Sequence, residues 1–194
     1  MKLIYLAGPD VFYPDARQRG EQMQALCAAH GFRGLYPLDA VVDSTAPNVS
    51  RAIYAANRRF IERADAVIAN LRDFRGFEPD SGTVWEASYA LALGKPVVGY
   101  LPAPASIVER MGAHACGGVD GEGLTVEDFG LPLNLMLAHS LTGIVHGPEE
   151  GFAGFIQALG ALRQWFAQGH LARLGAGRQN PGVSAVSAPG SPGS

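Results

Sequence analysis

Short apolar stretches alternate with amphipathic stretches along the first half of the chain. The apolar stretches are residues 3–7, 32–38, 65–71 and 96–101. The first of them lacks the polar alternation of a half-exposed strand and is typical of a strand buried on both faces of a parallel sheet. The intervening residues 15–30, 50–64 and 83–93 carry apolar side chains at helical spacing. Four strands joined by three helices are therefore predicted.

The second half of the chain is less regular. Residues 102–130 show no periodicity and are rich in glycine, proline and acidic residues, so we expect a long loop, of the kind that is usually functional or mobile, with a lid as one interpretation. A short helix over 132–140, a fifth strand over 142–146 and a last helix over 150–174 follow. The predicted fold class is α/β, a doubly wound five-stranded parallel sheet of flavodoxin-like or Rossmann-like type flanked by helices.

The end of the chain differs in composition from the rest. Residues 175–194 are mostly Gly, Ser, Pro and Ala and contain too few large apolar side chains to offset the entropy lost on ordering. We expect one domain over residues 1–174 and a disordered tail over 175–194.

Composition narrows the class of ligand. The 194 residues carry a formal net charge of −3 and contain no run of Lys or Arg, which argues against nucleic acid or an anionic membrane as partner. A small-molecule ligand fits better. Two cysteines, Cys27 and Cys116, give neither a disulfide framework nor a zinc pattern, so a reducing, cytoplasmic location is expected. The first apolar run is too short for a signal peptide, and no run approaches the ~20 residues of a membrane helix.

Several common chemistries lack their motifs. The sequence contains no Gly-x-Gly-x-x-Gly, no Walker A motif and no Gly-x-Ser-x-Gly elbow. The histidines, among them His114, His139 and His146, show no metal-ligand spacing. We therefore expect no cofactor and no metal.

Two carboxylates near a predicted helix start, Asp80 and Glu86, are the main catalytic candidates. An acid pair beside aromatic rings suits glycosyl-bond chemistry, because one carboxylate attacks the sugar carbon while another acid assists the leaving group. Thr83 to Glu86 also fits a capping box, in which Glu86 only binds the backbone of Thr83. The spacing of the residues leaves both interpretations open.

Four ordered motifs together carry a family resemblance. They are YLAGPDVF at 5–12, ADAVIANL at 64–71, DSGTVWE at 80–86 with GKP at 94–96, and PLNLM at 132–136. Over most of residues 1–146 the chain resembles the nucleoside 2-deoxyribosyltransferase family. The resemblance implies a transfer of 2-deoxyribose between nucleobases, with retention and through a covalent glutamyl intermediate.

The resemblance also implies roles for particular residues. Glu86 matches the nucleophile, Tyr5 the phenol that orients it, and Asp80 the acid that supports protonation of the departing base. Asn134 matches an amide that reaches the sugar 5′-hydroxyl in the neighbouring subunit, which implies a homodimer or a dimer-based oligomer. The residues matched to substrate binding are Gly8, Phe12, Asn57, Asn134 and Met136.

One position departs from the family pattern, and two other functions remain open. Asn57 stands where some members carry an aspartate, which leaves the base preference open. We also expect the dipole of the helix to keep Glu86 ionised. The alternatives are a hydrolase of 2-deoxynucleoside 5′-monophosphates, for which Arg17 and Arg19 lie near the first strand, and a non-catalytic nucleotide-sensing module.

Overall fold

The computed structural model describes residues 1–42, 45, 47–102, 104–112, 118–148 and 150–175, with side chains described as far as residue 169. Its strands are β1 (Lys2–Ala7), β2 (Phe32–Leu35), β3 (Ala66–Asn70), β4 (Val97–Leu101) and β5 (Gly143–His146). They form one sheet in the order β2-β1-β3-β4-β5, and every neighbouring pair is parallel. This arrangement confirms the predicted fold class.

The helices cover both faces of the sheet. They are α1 (Ala16–Ala29), α2 (Val49–Arg63), α3 (Ser81–Ala92), α4 (Ile107–Met111), α5 (Leu135–Ser140) and α6 (Ala153–Gly175). Met23 of α1 and Phe155 of α6 lie in the core on one face of the sheet. Ile61 of α2, Ala87 of α3 and Leu137 of α5 lie in the core on the other face. Strands β3 and β4 are buried along their whole length and are almost entirely apolar for this reason.

The chain reverses its direction of winding between β1 and β3. Strands β2 and β3 flank β1, so the connections after β1 and β3 leave the sheet on opposite faces. In such sheets the loops diverge at this point and leave a crevice beyond the carboxyl ends of the strands. The turn after β1 and the loop after β3 border this crevice.

Some predicted boundaries were wrong by a few residues. Strand β2 ends at Leu35, because Pro37 begins a 3-10 turn (Pro37–Asp39) whose Asp39 carboxylate accepts from the backbone N–H of Tyr36 at 3.0 Å. Helix α2 begins at Val49 with Asn48 as its N-cap residue, so the predicted N-cap Ser50 lies inside the helix. Helix α3 begins at Ser81 rather than at Thr83.

The region predicted as a structureless loop contains regular structure among its described residues. Helix α4 begins with a capping box, in which Ser106 N–H donates to the Glu109 carboxylate at 2.7 Å and Glu109 N–H donates to the Ser106 hydroxyl at 3.2 Å. Val119 and Thr125 form an antiparallel bridge. A five-residue helix has little more than one turn, too short for apolar periodicity to reveal it.

Of the predicted tail, the structure describes only the first residue, Gly175. Helix α6 ends at Gly175, and residues 176–194 lie outside the described residues. The division into a domain over 1–174 and a tail over 175–194 therefore stays a prediction. In the described part of the chain, no helix is both long and apolar enough to cross a membrane.

Candidate active site

The start of helix α3 decides between the two interpretations of Glu86. Asp80 is the N-cap residue, and its Oδ2 atom accepts from Thr83 N–H at 2.8 Å and from the Thr83 hydroxyl at 2.9 Å. The proposed capping box over Thr83 to Glu86 is absent, because α3 begins two residues earlier than predicted and Asp80 already caps it. The carboxylate of Glu86 is thus not used by the backbone of the helix.

Glu86 instead receives hydrogen bonds from two other elements of the fold. The hydroxyl of Tyr5, on β1, donates to Oε1 of Glu86 at 2.6 Å. The amide Nδ2 of Asn57, on α2, donates to the same oxygen at 3.5 Å. Both bonds go to Oε1, and no described residue donates a hydrogen bond to Oε2. One carboxylate oxygen is fixed, and the other is available.

The environment of Glu86 opposes its negative charge. Burial is the largest cause and raises the pKa of Glu86 to about 7; the hydrogen bond from Tyr5 lowers the pKa, the charge of Asp80 raises it and the hydrogen bond from Asn57 lowers it. Tyr5 is fully buried, and its burial, followed by the charge and the hydrogen bond of Glu86, raises its pKa well above its ordinary range. Tyr5 therefore stays a hydrogen-bond donor.

The expectation that the dipole of the helix keeps Glu86 ionised was wrong. Glu86 is the sixth residue of α3, and the favourable effect of a helix N-terminus fades beyond the first turn. Burial dominates instead, so the carboxyl group titrates near neutral pH. A carboxylate poised in this way is partly desolvated, and perturbed groups of this kind concentrate at functional sites.

Two loops bring aromatic rings to the crevice. Phe12 lies in the 3-10 turn after β1 (Pro9–Phe12), is 56% exposed and stacks on Phe74 with the ring centroids 5.3 Å apart. Arg75 has φ of 56° and places its guanidinium 4.7 Å from the Phe74 ring centroid. Phe12 was a predicted substrate-binding residue, whereas Phe74 was not singled out, because residues 72–79 were predicted only as a polar loop.

Gly8 has a packing reason to be glycine. A Cβ atom there would lie 2.8 Å from Asn70 Cβ and 2.9 Å from Asp10 Oδ2. Asn70 Nδ2 donates to Asp10 Oδ2 at 2.7 Å, and both side chains are buried. Arg19 contacts the other oxygen of Asp10 at 3.4 Å. This pair ties the end of β1 to the end of β3, and no sequence pattern indicates a contact over 60 positions.

Asn134 and Met136 lie away from Glu86 of the same chain. Together with Val84, Ser88 and Leu91 they line a groove of about 550 Å³ between α3 and α5. At roughly 100° per residue, these three positions lie on the flank of α3 nearly opposite Glu86. The structure brings together Tyr5, Asn57, Asp80 and Glu86, and places Asn134 and Met136 on the other side of the helix.

Among the residues with described placement, no three His, Cys, Asp or Glu side chains cluster as a metal ion would require. The absence of a cofactor stays a prediction from the sequence.

Comparison with known proteins identifies the family of this chain. Residues 4–136 match the family model of the nucleoside 2-deoxyribosyltransferases. The chain belongs to this family. The matched region runs from β1 to Met136 and so includes Tyr5, Asp80 and Glu86.

Solved structures are also similar to this member of the deoxyribosyltransferase family. A 2-desoxiribosyltransferase from Leishmania mexicana is 34% identical, with a TM-score of 0.63, over 82% of this chain and 97% of that protein. A 2-deoxyribosyltransferase from Bacillus psychrosaccharolyticus is 21% identical, with a TM-score of 0.50, over 74% of this chain and 85% of the other. The second likeness shows the fold alone.

A sequence relative matches over a shorter region. An uncharacterized protein of Schizosaccharomyces pombe is 33% identical over 102 residues, which are 50% of this chain and 48% of the relative. The chain thus spans about half the length of this curated relative.

The raised pKa of Glu86 predicts that Glu86→Gln stabilises the protein at alkaline pH. A carboxyl group whose pKa rises from 4.5 in the unfolded chain to about 7 in the folded one binds more protons when folded, so its contribution to stability is lost as the pH rises from 4.5 to about 7. We expect Glu86→Gln to raise the free energy of unfolding at pH 8 by ~1–3 kcal/mol, and by much less at pH 4. Urea unfolding at both pH values measures this difference. A variant less stable than wild type at both would show that Glu86 is structural.

Proposed function

We propose that this protein transfers 2-deoxyribose between nucleobases, through a covalent intermediate on Glu86 and with retention at the anomeric carbon. The observation that carries the proposal is the carboxylate of Glu86, held at Oε1 by Tyr5 and free of the helix cap. Family membership supports the same reaction class. The substrates are deoxynucleosides and free nucleobases, in deoxyribonucleoside salvage in the cytoplasm.

The proposed reaction has two displacements. Oε2 of Glu86 forms a bond to the anomeric carbon while the bond from that carbon to the base nitrogen breaks, and the bonding electrons and a proton go to the departing base. Asp80 lies near enough to raise the pKa of Glu86 and supports the protonation of the base. An incoming base then attacks the same carbon and gives up one N–H proton on the side of Asp80, which balances the proton taken by the departing base, and Glu86 leaves as a carboxylate. Two inversions give net retention, and water in place of the base gives slow hydrolysis.

Asn57 provides a second polar group beside the nucleophile. Its Nδ2 atom faces Glu86, while its Oδ1 atom is buried and has no hydrogen-bond partner among the described residues. A buried acceptor without a partner is unfavourable, so a bound donor would be stabilised there. An N–H group of the nucleobase is the donor that we assign to this position.

The proposed site is completed by a second subunit. Helix α3 separates Asn134 and Met136 from Glu86 of their own chain, as the groove between α3 and α5 shows. A contact of Asn134 with the sugar 5′-hydroxyl then requires another copy of the chain. We therefore propose a homodimer or an assembly of dimers, the simplest closed solution for such an exchange. A protein that is monomeric and yet active would contradict this arrangement.

The hydrolysis of 5′-monophosphates is disfavoured by the turn after β1. Of the two cations that kept this alternative open, Arg17 is exposed, and Arg19 pairs with Asp10 at 3.4 Å and with Asp15 at 3.1 Å. The turn itself contains no serine and buries the Asp10 carboxylate, which would repel a phosphate. Turnover of a deoxynucleoside should therefore exceed turnover of its monophosphate.

Base exchange tests the proposed reaction directly. We expect the protein, incubated with one deoxynucleoside and a second free base, to form the second deoxynucleoside, because a covalent sugar intermediate can be captured by either base. Glu86→Ala should lose at least about 10³-fold in rate, as removal of a catalytic nucleophile does. Liquid chromatography measures the products. Binding of both substrates by wild type with no new deoxynucleoside would reject transfer and favour the sensing module.

The hydrogen bond from Tyr5 predicts a shift in the pH profile. This bond lowers the pKa of Glu86, so Tyr5→Phe should move the acidic limb of kcat/KM, expected near pH 7 in wild type, to higher pH. Loss of one bond to a charged group should also lower the plateau about 10- to 100-fold. Tyr89→Phe, which removes an exposed hydroxyl that binds Glu62, is the matched control. An unshifted limb in Tyr5→Phe would exclude Glu86 as the titrating group.

A further inference from the structure

Glu127 binds both Asn134 and the start of helix α5. Its Oε1 atom accepts from Asn134 Nδ2 at 2.8 Å, and its Oε2 atom accepts from Leu135 N–H at 2.9 Å. Asn134 is in turn the N-cap residue of α5, with its Oδ1 atom accepting from Met136 N–H at 3.0 Å. The Glu127 carboxylate and the Asn134 carboxamide therefore bind each other and the first N–H groups of α5.

We propose that Glu127 is a positioning residue that holds the Asn134 carboxamide ready for the substrate in the neighbouring subunit. This inference rests on the proposed function, because it assigns Glu127 to the part of the site that Asn134 supplies. An Asn side chain on a surface helix start has several accessible rotamers, and their loss on binding costs free energy. Fixing the amide before the substrate arrives removes that cost.

The contacts leave part of the amide available to a ligand. Asn134 Nδ2 carries two N–H groups, and Glu127 accepts one of them. Oδ1 has two lone pairs, and Met136 N–H occupies one. One donor and one acceptor remain, which is what a hydroxyl group needs in order both to accept and to donate. The bond to Glu127 therefore orients Asn134 without consuming its binding capacity.

The segment that carries Glu127 and Asn134 is anchored independently of these two residues. Arg110 of α4 donates to the carbonyl of Pro132 at 2.6 Å and to the carbonyl of Phe77 at 3.3 Å, and it forms an ion pair with Asp73. Ile107 N–H donates to the carbonyl of Leu131 at 3.0 Å. These bonds connect the segment before Asn134 to the loop that precedes Asp80. Residues 104–112 and 118–135 thus act as a support for Asn134.

Two variants of Glu127 separate positioning from folding. Glu127→Ala removes both contacts, whereas Glu127→Gln keeps one acceptor oxygen for Leu135 N–H and replaces the other by an amide that cannot accept from Asn134. We expect kcat/KM for a deoxynucleoside to fall about tenfold in both, mostly through KM, as for loss of a hydrogen bond made on binding. Glu122→Ala, an exposed acid in the same segment, is the matched control and should equal wild type.

A substrate without the 5′-hydroxyl tests what Glu127 positions. On a 2′,5′-dideoxynucleoside the Asn134 amide has no group to bind, so wild type, Asn134→Ala and both Glu127 variants should have the same kcat/KM. The double variant Glu127→Ala/Asn134→Ala should be no worse than Asn134→Ala on the normal substrate. An equal loss on both substrates would mean that Glu127 only supports the fold, and would overturn the proposal.

Mixed oligomers show in which subunit Glu127 acts. Glu127 holds Asn134 of its own chain, so a Glu127→Ala chain mixed with a Glu86→Ala chain should regain activity, since one site then combines an intact Glu86 with an intact Asn134. Glu127→Ala mixed with Asn134→Ala should regain none. The opposite pattern would contradict the assignment.

A measurement without substrate distinguishes this inference from the proposed reaction. With the protein labelled with ¹⁵N asparagine, the side-chain amide of Asn134 should exchange its hydrogens more slowly than a free amide in wild type and in Glu122→Ala. It should exchange rapidly in both Glu127 variants. An Asn134 amide unaffected by Glu127→Ala would reject the positioning role even if base exchange is observed, and an affected amide in a protein without base exchange would reject only the proposed reaction.

Discussion

One hydrogen bond, from the Tyr5 hydroxyl to Glu86 Oε1, joins the centre of the sheet to helix α3 and defines the candidate site. Strand β1 is flanked on both sides, which buries Tyr5, and this burial raises the pKa of Tyr5 so that its hydroxyl keeps the proton that it donates. Burial also raises the pKa of Glu86 to about 7. The buried carboxylate of Glu86 therefore lowers the stability of the folded protein at neutral and alkaline pH. Functional groups often reduce stability in this way.

The sequence predicts the sheet better than it predicts the site. All five strands were predicted because each lies in a short, mainly apolar stretch, and the helices between them have apolar faces long enough to detect. The short helix α4 was not predicted, because five residues are too few to show apolar periodicity. The state of Glu86 was not predictable, because the choice between capping Thr83 and binding Tyr5 depends on Asp80 as N-cap and on a contact over 81 positions. The family resemblance, not the spacing, indicated the hydrogen bond between Tyr5 and Glu86.

The residues that support the site are spread over loops with no recognisable pattern. Asn70 binds Asp10 across two strand ends, Arg110 ties two loops together, and Glu127 holds Asn134. Each is an ordinary polar residue in the sequence and acquires meaning only from its partner in space. The same residue types at the same positions could equally be solvated surface residues. Their partners become evident only from the three-dimensional structure.

The central claim is that Glu86 forms a bond to the sugar, and mass mapping of the trapped protein tests it most directly. The protein is incubated briefly with a deoxynucleoside and no acceptor base, quenched with acid and digested. We predict that the peptide containing Glu86 gains the mass of one deoxyribosyl group, that an added base removes it, and that Glu86→Gln never acquires it. Turnover with the adduct on another residue, or with none on Glu86 under conditions that trap it, would contradict the account.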